Sequence, residues 1–176
     1  METEQALTKG LQWLNSLPRQ QAVEEFLKCC GSKTWALKLE ENRPFKSVEE
    51  LYSSAATTWW ALSSAVWLEA FRAHPKIGEK KAGSQVSATS QAWSGQEQSG
   101  IKDAANTTLQ KLATLNSQYE AKFGFIFIVC ATGKSSEEIL AMLVNRLDNE
   151  PLTERPIAAA EQAKITQLRL AKLLAQ

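Results

Sequence analysis

Histidine is almost missing from this chain: His74 is the only one in 176 residues. With no Cys-x-x-Cys pair either, the usual ligand set of a zinc site is lacking, and no metal is expected. Cysteine is scarce as well. Cys29, Cys30 and Cys130 are an odd number containing one adjacent pair, which is no disulfide framework; they read as reduced thiols of a cytosolic protein. No apolar run approaches the ~20 residues needed to cross a bilayer. The opening Met1-Glu2-Thr3-Glu4-Gln5 is too polar for a secretory signal. Leu174-Ala175-Gln176 is not a Ser-Lys-Leu-type peroxisomal ending, so a cytoplasmic location is expected. Neither charge sign prevails: a net charge of +1, with basic residues dispersed, offers no field to nucleic acid or to an acidic membrane surface. Glycine-rich phosphate loops of the G-x-G-x-x-G or Walker type are absent too. Nothing in this composition calls for a cofactor.

What the chain does have is helical periodicity. Its 44% hydrophobic content is enough for one domain with a substantial core, taken as residues 1–176. Pro18 stands in the first turn of a helix carrying Val23, Phe26 and Leu27 up to Gly31. Ser32 is placed to cap a short helix with Trp35, Leu37 and Leu39, ending near Pro44. Ser47-Val48-Glu49-Glu50 has capping-box spacing and starts the longest expected helix, residues 48–73. Its stripe of Leu51, Ala55, Trp59, Leu62, Val66 and Ala70 is widened by Trp60, Trp67 and Phe71, which is core patterning. Residues 79–93, rich in Ser, Ala, Gly and Lys, lack an apolar period and read as a loop. Asp103 is expected to cap a helix through Leu109, Leu112, Leu115 and Tyr119, and Ser135 one through Ile139, Leu140, Leu143 and Leu147. Thr153 opens the last, with Pro156 in its first turn and Ile157, Ile165, Leu168 and Leu174 inward. Residues 123–131 break the pattern: β-branched, aromatic and very apolar, they read as a buried extended stretch without a partner strand. The expected fold class is all-α, with about seven to nine helices and one extended apolar segment.

Three places can carry chemistry. His74 lies in Ala73-His74-Pro75-Lys76-Ile77-Gly78, where the proline ends the helix and sets a titratable ring at its exit. Ser94-Gly95-Gln96-Glu97-Gln98 supplies a carboxylate, and the apolar segment ends at Ala131. Each has a plainer reading. A histidine near a helix C-terminus also complements the helix dipole, Ser94 and Glu97 have capping-box spacing, and a phenylalanine-rich segment is ordinary core. Arg169 alone would be a surface charge.

Taken in order, the pieces resemble one family. Arg43-Pro44-Phe45, His74-Pro75, Ser94-x-x-Glu97-Gln98-Ser99-Gly100, Leu115-Asn116-x-x-Tyr119-x-x-x-Phe123-Gly124-Phe125-x-Phe127, Arg146-Leu147, Lys164-Ile165 and Leu168-Arg169-Leu170 match it in sequence order. The family is the 2-oxo-4-hydroxy-4-carboxy-5-ureidoimidazoline (OHCU) decarboxylases of uric acid degradation. Two positions depart from it: Ile126 stands where proline is usual, and Lys76-Ile77 where an acidic residue and leucine are common.

The resemblance implies a cofactor-independent carboxy-lyase that converts the small molecule OHCU to (S)-allantoin. It makes His74 the catalytic proton donor and Glu97 its acidic partner. Pro75, Ser94, Gly95, Gln96 and Gln98 would line the substrate, together with Phe127, Ile128, Val129, Cys130 and Ala131, while Arg169 closes the site. Backbone groups outside helix geometry can match the edges of a flat ureido-imidazoline, and an arginine fork suits its oxygens. A homodimer is also implied. The competing reading is a non-enzymatic helical interaction module that presents the tryptophan-rich helix to a partner.

Overall fold

Among the described residues, serine hydroxyls close helix N-termini at Ser32, Ser47, Ser87 and Ser135. Ser32 accepts from the Trp35 amide, Ser47 from Glu50 and Ser87 from Ser90, each at 3.1 Å, and Ser135 accepts from Glu138 at 3.2 Å. At Ser135 the box is complete, because the Glu138 carboxylate accepts from the Ser135 amide at 2.7 Å. The computed structural model describes residues 2–78, 87–102 and 104–176. Among them lie nine α-helices and no strand: α1 (Glu2–Ser16), α2 (Arg19–Cys29), α3 (Lys33–Glu40), α4 (Val48–Trp60), α5 (Ser64–Arg72), α6 (Ala88–Glu97), α7 (Asn106–Phe123), α8 (Ser136–Leu147) and α9 (Pro151–Leu174). A 3-10 turn, Ser99–Ile101, follows α6. The all-α class holds. None of the described helices is long and apolar enough to cross a membrane.

Several expectations need correcting. The helix over 48–73 is two helices, because the Leu62 amide closes onto Trp59 while the Ser63 carbonyl already takes Val66 and Trp67. Buried Leu62 carries the apolar period straight across this break, which hides it. Residues 88–93 belong to α6 and not to a loop. The buried face of α6 is Ser90, Trp93, Ser94 and Glu97, so a helical period is present but mostly in polar residues. Residues 79–86 and the expected cap Asp103 lie outside the described residues. Pro18 precedes α2 as its N-cap residue, and Pro151 opens α9, two residues before Thr153. Helix α1 was not expected at all: its pattern is mostly polar, with Leu11 and Leu14 buried. Trp60 and Leu168, expected inward, are exposed.

The chain divides into two compact units, the first within Met1–Ala70 and Ala163–Gln176 and the second within Phe71–Gln162. In the first, Phe26 meets Trp35 edge-on at 6.1 Å, and the Trp35 indole donates to the Ala55 carbonyl. Arg43 donates to the carbonyls of Leu14, Asn15 and Leu17 at the end of α1. A Cβ on Gly10 would come within 1.9 Å of the Leu174 carbonyl oxygen, so only glycine lets α1 approach the end of α9 so closely.

In the second unit, Gly124 ends α7 at φ +78°, a conformation that disfavours a side chain. The chain then leaves helical geometry until α8. Tyr119 packs among Phe123, Phe125 and Phe127, with ring centroids 4.5, 5.8 and 5.4 Å away. Aromatic packing of this kind accounts for the apolar character of the extended segment.

Candidate active site

A non-helical stretch must satisfy its backbone through turns, side chains or water. Ile128 and Cys130 do so with charged groups, and the Ala131 carbonyl accepts from the Lys134 amide. Arg146 Nη1 donates to the Ile128 carbonyl at 2.6 Å, the Cys130 amide donates to Glu161 Oε2 at 2.8 Å, and Lys134 Nζ donates to the Cys130 carbonyl at 2.7 Å. Arg146 is fixed in turn by fully buried Glu154, whose carboxylate also accepts from the Tyr119 hydroxyl and Asn149 Nδ2. The Arg146 guanidinium lies 4.5 Å from the centroid of the Phe127 ring. Phe127, Ile128, Val129, Cys130 and Ala131 are all buried, on a backbone pinned at three atoms. The Cys130 amide already has a protein acceptor in Glu161.

Burial pushes the Cys130 thiol up from its ordinary value; Lys134 opposes that rise, and the Glu161 and Glu97 carboxylates add to it. Glu97 makes the smallest of these contributions. Ser94 and Glu97 are buried on one face of α6, whereas Gly95 and Gln96 are exposed. The plainer reading of Ser94 and Glu97 as a capping box fails: Ser94 accepts from the Gln98 amide near the end of α6, and Glu97 is its last residue.

His74 sits just past α5, where its amide donates to the Phe71 carbonyl and Pro75 stops the helix. The ring is half-buried. Its Nε2 lies 2.6 Å from Gln162 Oε1 on α9. The chain that follows is tied down twice, by a 2.6 Å ion pair between Lys76 and Glu120 and by the Gly78 amide donating to Gln98 Oε1 at 2.9 Å. Lys76, where the sequence departs from the family pattern, thus has an acidic partner on α7.

Arg169 belongs to the first unit, where it is buried on α9. Its positive charge acts on the neighbouring thiols. Burial pushes Cys30 up to about 12, with a hydrogen bond from the Ser32 backbone, Thr166 and Arg169 opposing the rise. Sequence reasoning missed Lys134, Glu161 and Gln162. A signal for Gln162 was available: the inward stripe of α9 through Ala158 and Ile165 passes over it, and a glutamine at a buried position needs a partner.

The family model for OHCU decarboxylase matches residues 15–171. The chain belongs to the OHCU decarboxylase family. It is 39% identical over 150 residues to a uric acid degradation bifunctional protein of Arabidopsis thaliana, covering 85% of this chain and 46% of that protein. It is 31% identical over 167 residues to a 2-oxo-4-hydroxy-4-carboxy-5-ureidoimidazoline decarboxylase of Amia calva, covering 92% of each. The chain thus spans just under half of the bifunctional relative and nearly all of the other. Among solved structures, OHCU decarboxylase in the presence of (S)-allantoin matches with a TM-score of 0.75 at 36% identity, over 87% of this chain and 99% of that one. An (S)-allantoin synthase, at 19% identity and a TM-score of 0.71 over 93% of this chain and 53% of that one, shares the fold. For this member of the family, His74-Pro75 and Ser94 through Gln98 fall within the matched span.

Proposed function

We propose that this chain decarboxylates OHCU to (S)-allantoin without a cofactor, using His74 and Glu97 to manage protons. The observation that carries the reading is the seating of its single histidine, held at the exit of α5 by Gln162, in a chain of this family. The substrate can serve as its own electron sink. Its carboxylated carbon is bonded to a C=N carbon, so the electron pair released with CO₂ moves toward the imine nitrogen. The enol so formed takes a proton on one face of the former imine carbon and loses its hydroxyl proton, which gives allantoin of one hand. A histidine that exchanges protons near neutrality, with a buried carboxylate, suits both transfers.

Pro75, Ser94, Gly95, Gln96 and Gln98, with residues 127–131, are assigned to the substrate on the family resemblance. The burial of Ser94 on the same face of α6 as Glu97 supports its place, whereas the Ile128 carbonyl and both backbone groups of Cys130 already have protein partners. Arg169 is assigned a grip on the substrate from the same resemblance. The reading extends to a cytoplasmic homodimer acting on a small molecule, with no part for nucleic acid or membrane; light scattering in solution tests the dimer.

The deciding experiment adds the protein to freshly generated urate-oxidation products and follows the optical activity of the allantoin formed. Wild type should speed its appearance and yield the (S) form. His74→Asn should keep the melting temperature and lose ~10²-fold or more in kcat, because an amide can copy the ring's hydrogen bond but cannot exchange its proton. Near-normal turnover in that variant removes His74 from the chemistry.

A further inference from the structure

We infer that Gln162 is the positioning residue for His74: its side-chain oxygen fixes the proton on Nε2 and so directs proton exchange to Nδ1. The inference rests on the reading of His74 as the proton carrier. A neutral imidazole has one N–H and one lone pair, and which nitrogen holds the proton is set by the group facing it. Gln162 Oε1 faces Nε2 at 2.6 Å, and a carbonyl oxygen can only accept, so Nε2 donates.

The partner is built to hold this role. Gln162 is fully buried, on a helix of 24 residues, whereas the His74 ring is half-buried beyond the end of α5. The rigid member of the pair is therefore the glutamine. Its neighbour Glu161 takes the Cys130 amide, so two consecutive residues of α9 hold the histidine and the extended segment together. Successive helical residues point about 100° apart, which lets one turn serve both.

The test exploits the single histidine, whose ring nitrogens give an unambiguous 15N signal. In wild type with the ring neutral, the shifts should report the Nε2–H tautomer. Gln162→Leu keeps roughly the buried volume and removes the acceptor; it should mix the tautomers and lower kcat by roughly 10- to 100-fold, the range found where groups orienting metal-bound histidines are removed. KM should change little, because a residue that acts through the ring leaves substrate binding in place. Gln162→Glu restores an oxygen acceptor and should restore the Nε2–H tautomer. A wild-type ring with its proton on Nδ1, or a tautomer unchanged in Gln162→Leu, overturns the inference. If instead the tautomer shifts as expected while His74→Asn remains active, the positioning stands and the catalytic reading falls.

Discussion

Arg43 and Arg146 use one chemistry in two regions. Each buries a guanidinium, pairs it with a glutamate and donates to backbone carbonyls. In the first unit, Arg43 closes the end of a regular element, α1, and its partner Glu40 keeps 11% of its side chain exposed and a second cation in Arg19. In the second unit, Arg146 supports the carbonyl of a segment that is not helical, and its partner Glu154 has no exposed surface. The difference is where the counter-ion would go if the arginine were removed. Near water, a carboxylate can be rehydrated; in the interior it cannot, and it must be neutralised at a cost. Irregular backbone near the proposed chemistry is thus held by a network whose members cannot be removed singly, while helix ends are held by replaceable parts.

Arg146→Met should have the largest effect. Glu154 would keep Tyr119 and Asn149 as donors but lose its only ion partner among the described residues. Breaking one side of a buried pair typically costs ~3–5 kcal/mol, so melting should fall steeply. A double variant, Arg146→Met with Glu154→Leu, should recover part of the loss, since no buried charge is then left alone. A loss equal to that of Arg43→Met would show that the two arginines are equivalent, and a smaller one would reverse the comparison.

Glu97→Gln comes next and reads activity instead of stability. Its carboxylate lies on the buried face of α6, beside Ser94. Glutamine preserves shape and helix propensity, so melting should hardly move. If the carboxylate takes part in proton transfer, kcat should fall ~10²-fold, equivalent to ~2.7 kcal/mol of transition-state stabilisation. Equal activity would return Glu97 to a purely structural place in the second unit.

Arg43→Met tests the other side. The carbonyls of Leu14, Asn15 and Leu17 would lose a charged donor, but Asn15 and Leu17 are half-buried and water can reach them. Loss of about 2 kcal/mol in chemical denaturation is expected, the scale of a charged hydrogen bond, with turnover per folded molecule unchanged.

Local rules made the regular parts readable. The caps at Ser32, Ser47 and Ser135 and the apolar stripes of α2, α3 and α8 depend on neighbours within one or two turns, and they stand where the spacing put them. Where the buried face was polar, as in α6, or where a stripe ran across a break, as at Leu62, periodicity alone misled. The site divides in the same way. His74 and Glu97 stand out by residue type and motif, but Gln162 is 88 residues from His74 and Glu161 is 31 from Cys130. Pairings of that range belong to the tertiary structure, and only the buried polar position of Gln162 hinted at one.

The smallest effect is expected from Ser135→Ala, and it shows what the comparison is really between. Ser135 lies in the second unit, only a few residues past the pinned segment, yet its task is the kind seen at Ser32 in the first. Its hydroxyl accepts the amide of exposed Glu138, and the reciprocal bond from its own amide to the Glu138 carboxylate survives the substitution. Loss of a serine cap costs typically ~1 kcal/mol, and here water can replace the lost acceptor, so the lower end, ~0.5–1 kcal/mol, is expected. Activity should be unchanged. A thermal melt shifted by only a few degrees with normal kcat would confirm that costly substitutions follow the irregular segment itself and not membership of the second unit. A drop as large as that of Arg146→Met would mean that α8 must be capped for Arg146 to reach Ile128. The helix end and the extended segment would then form one cooperative piece.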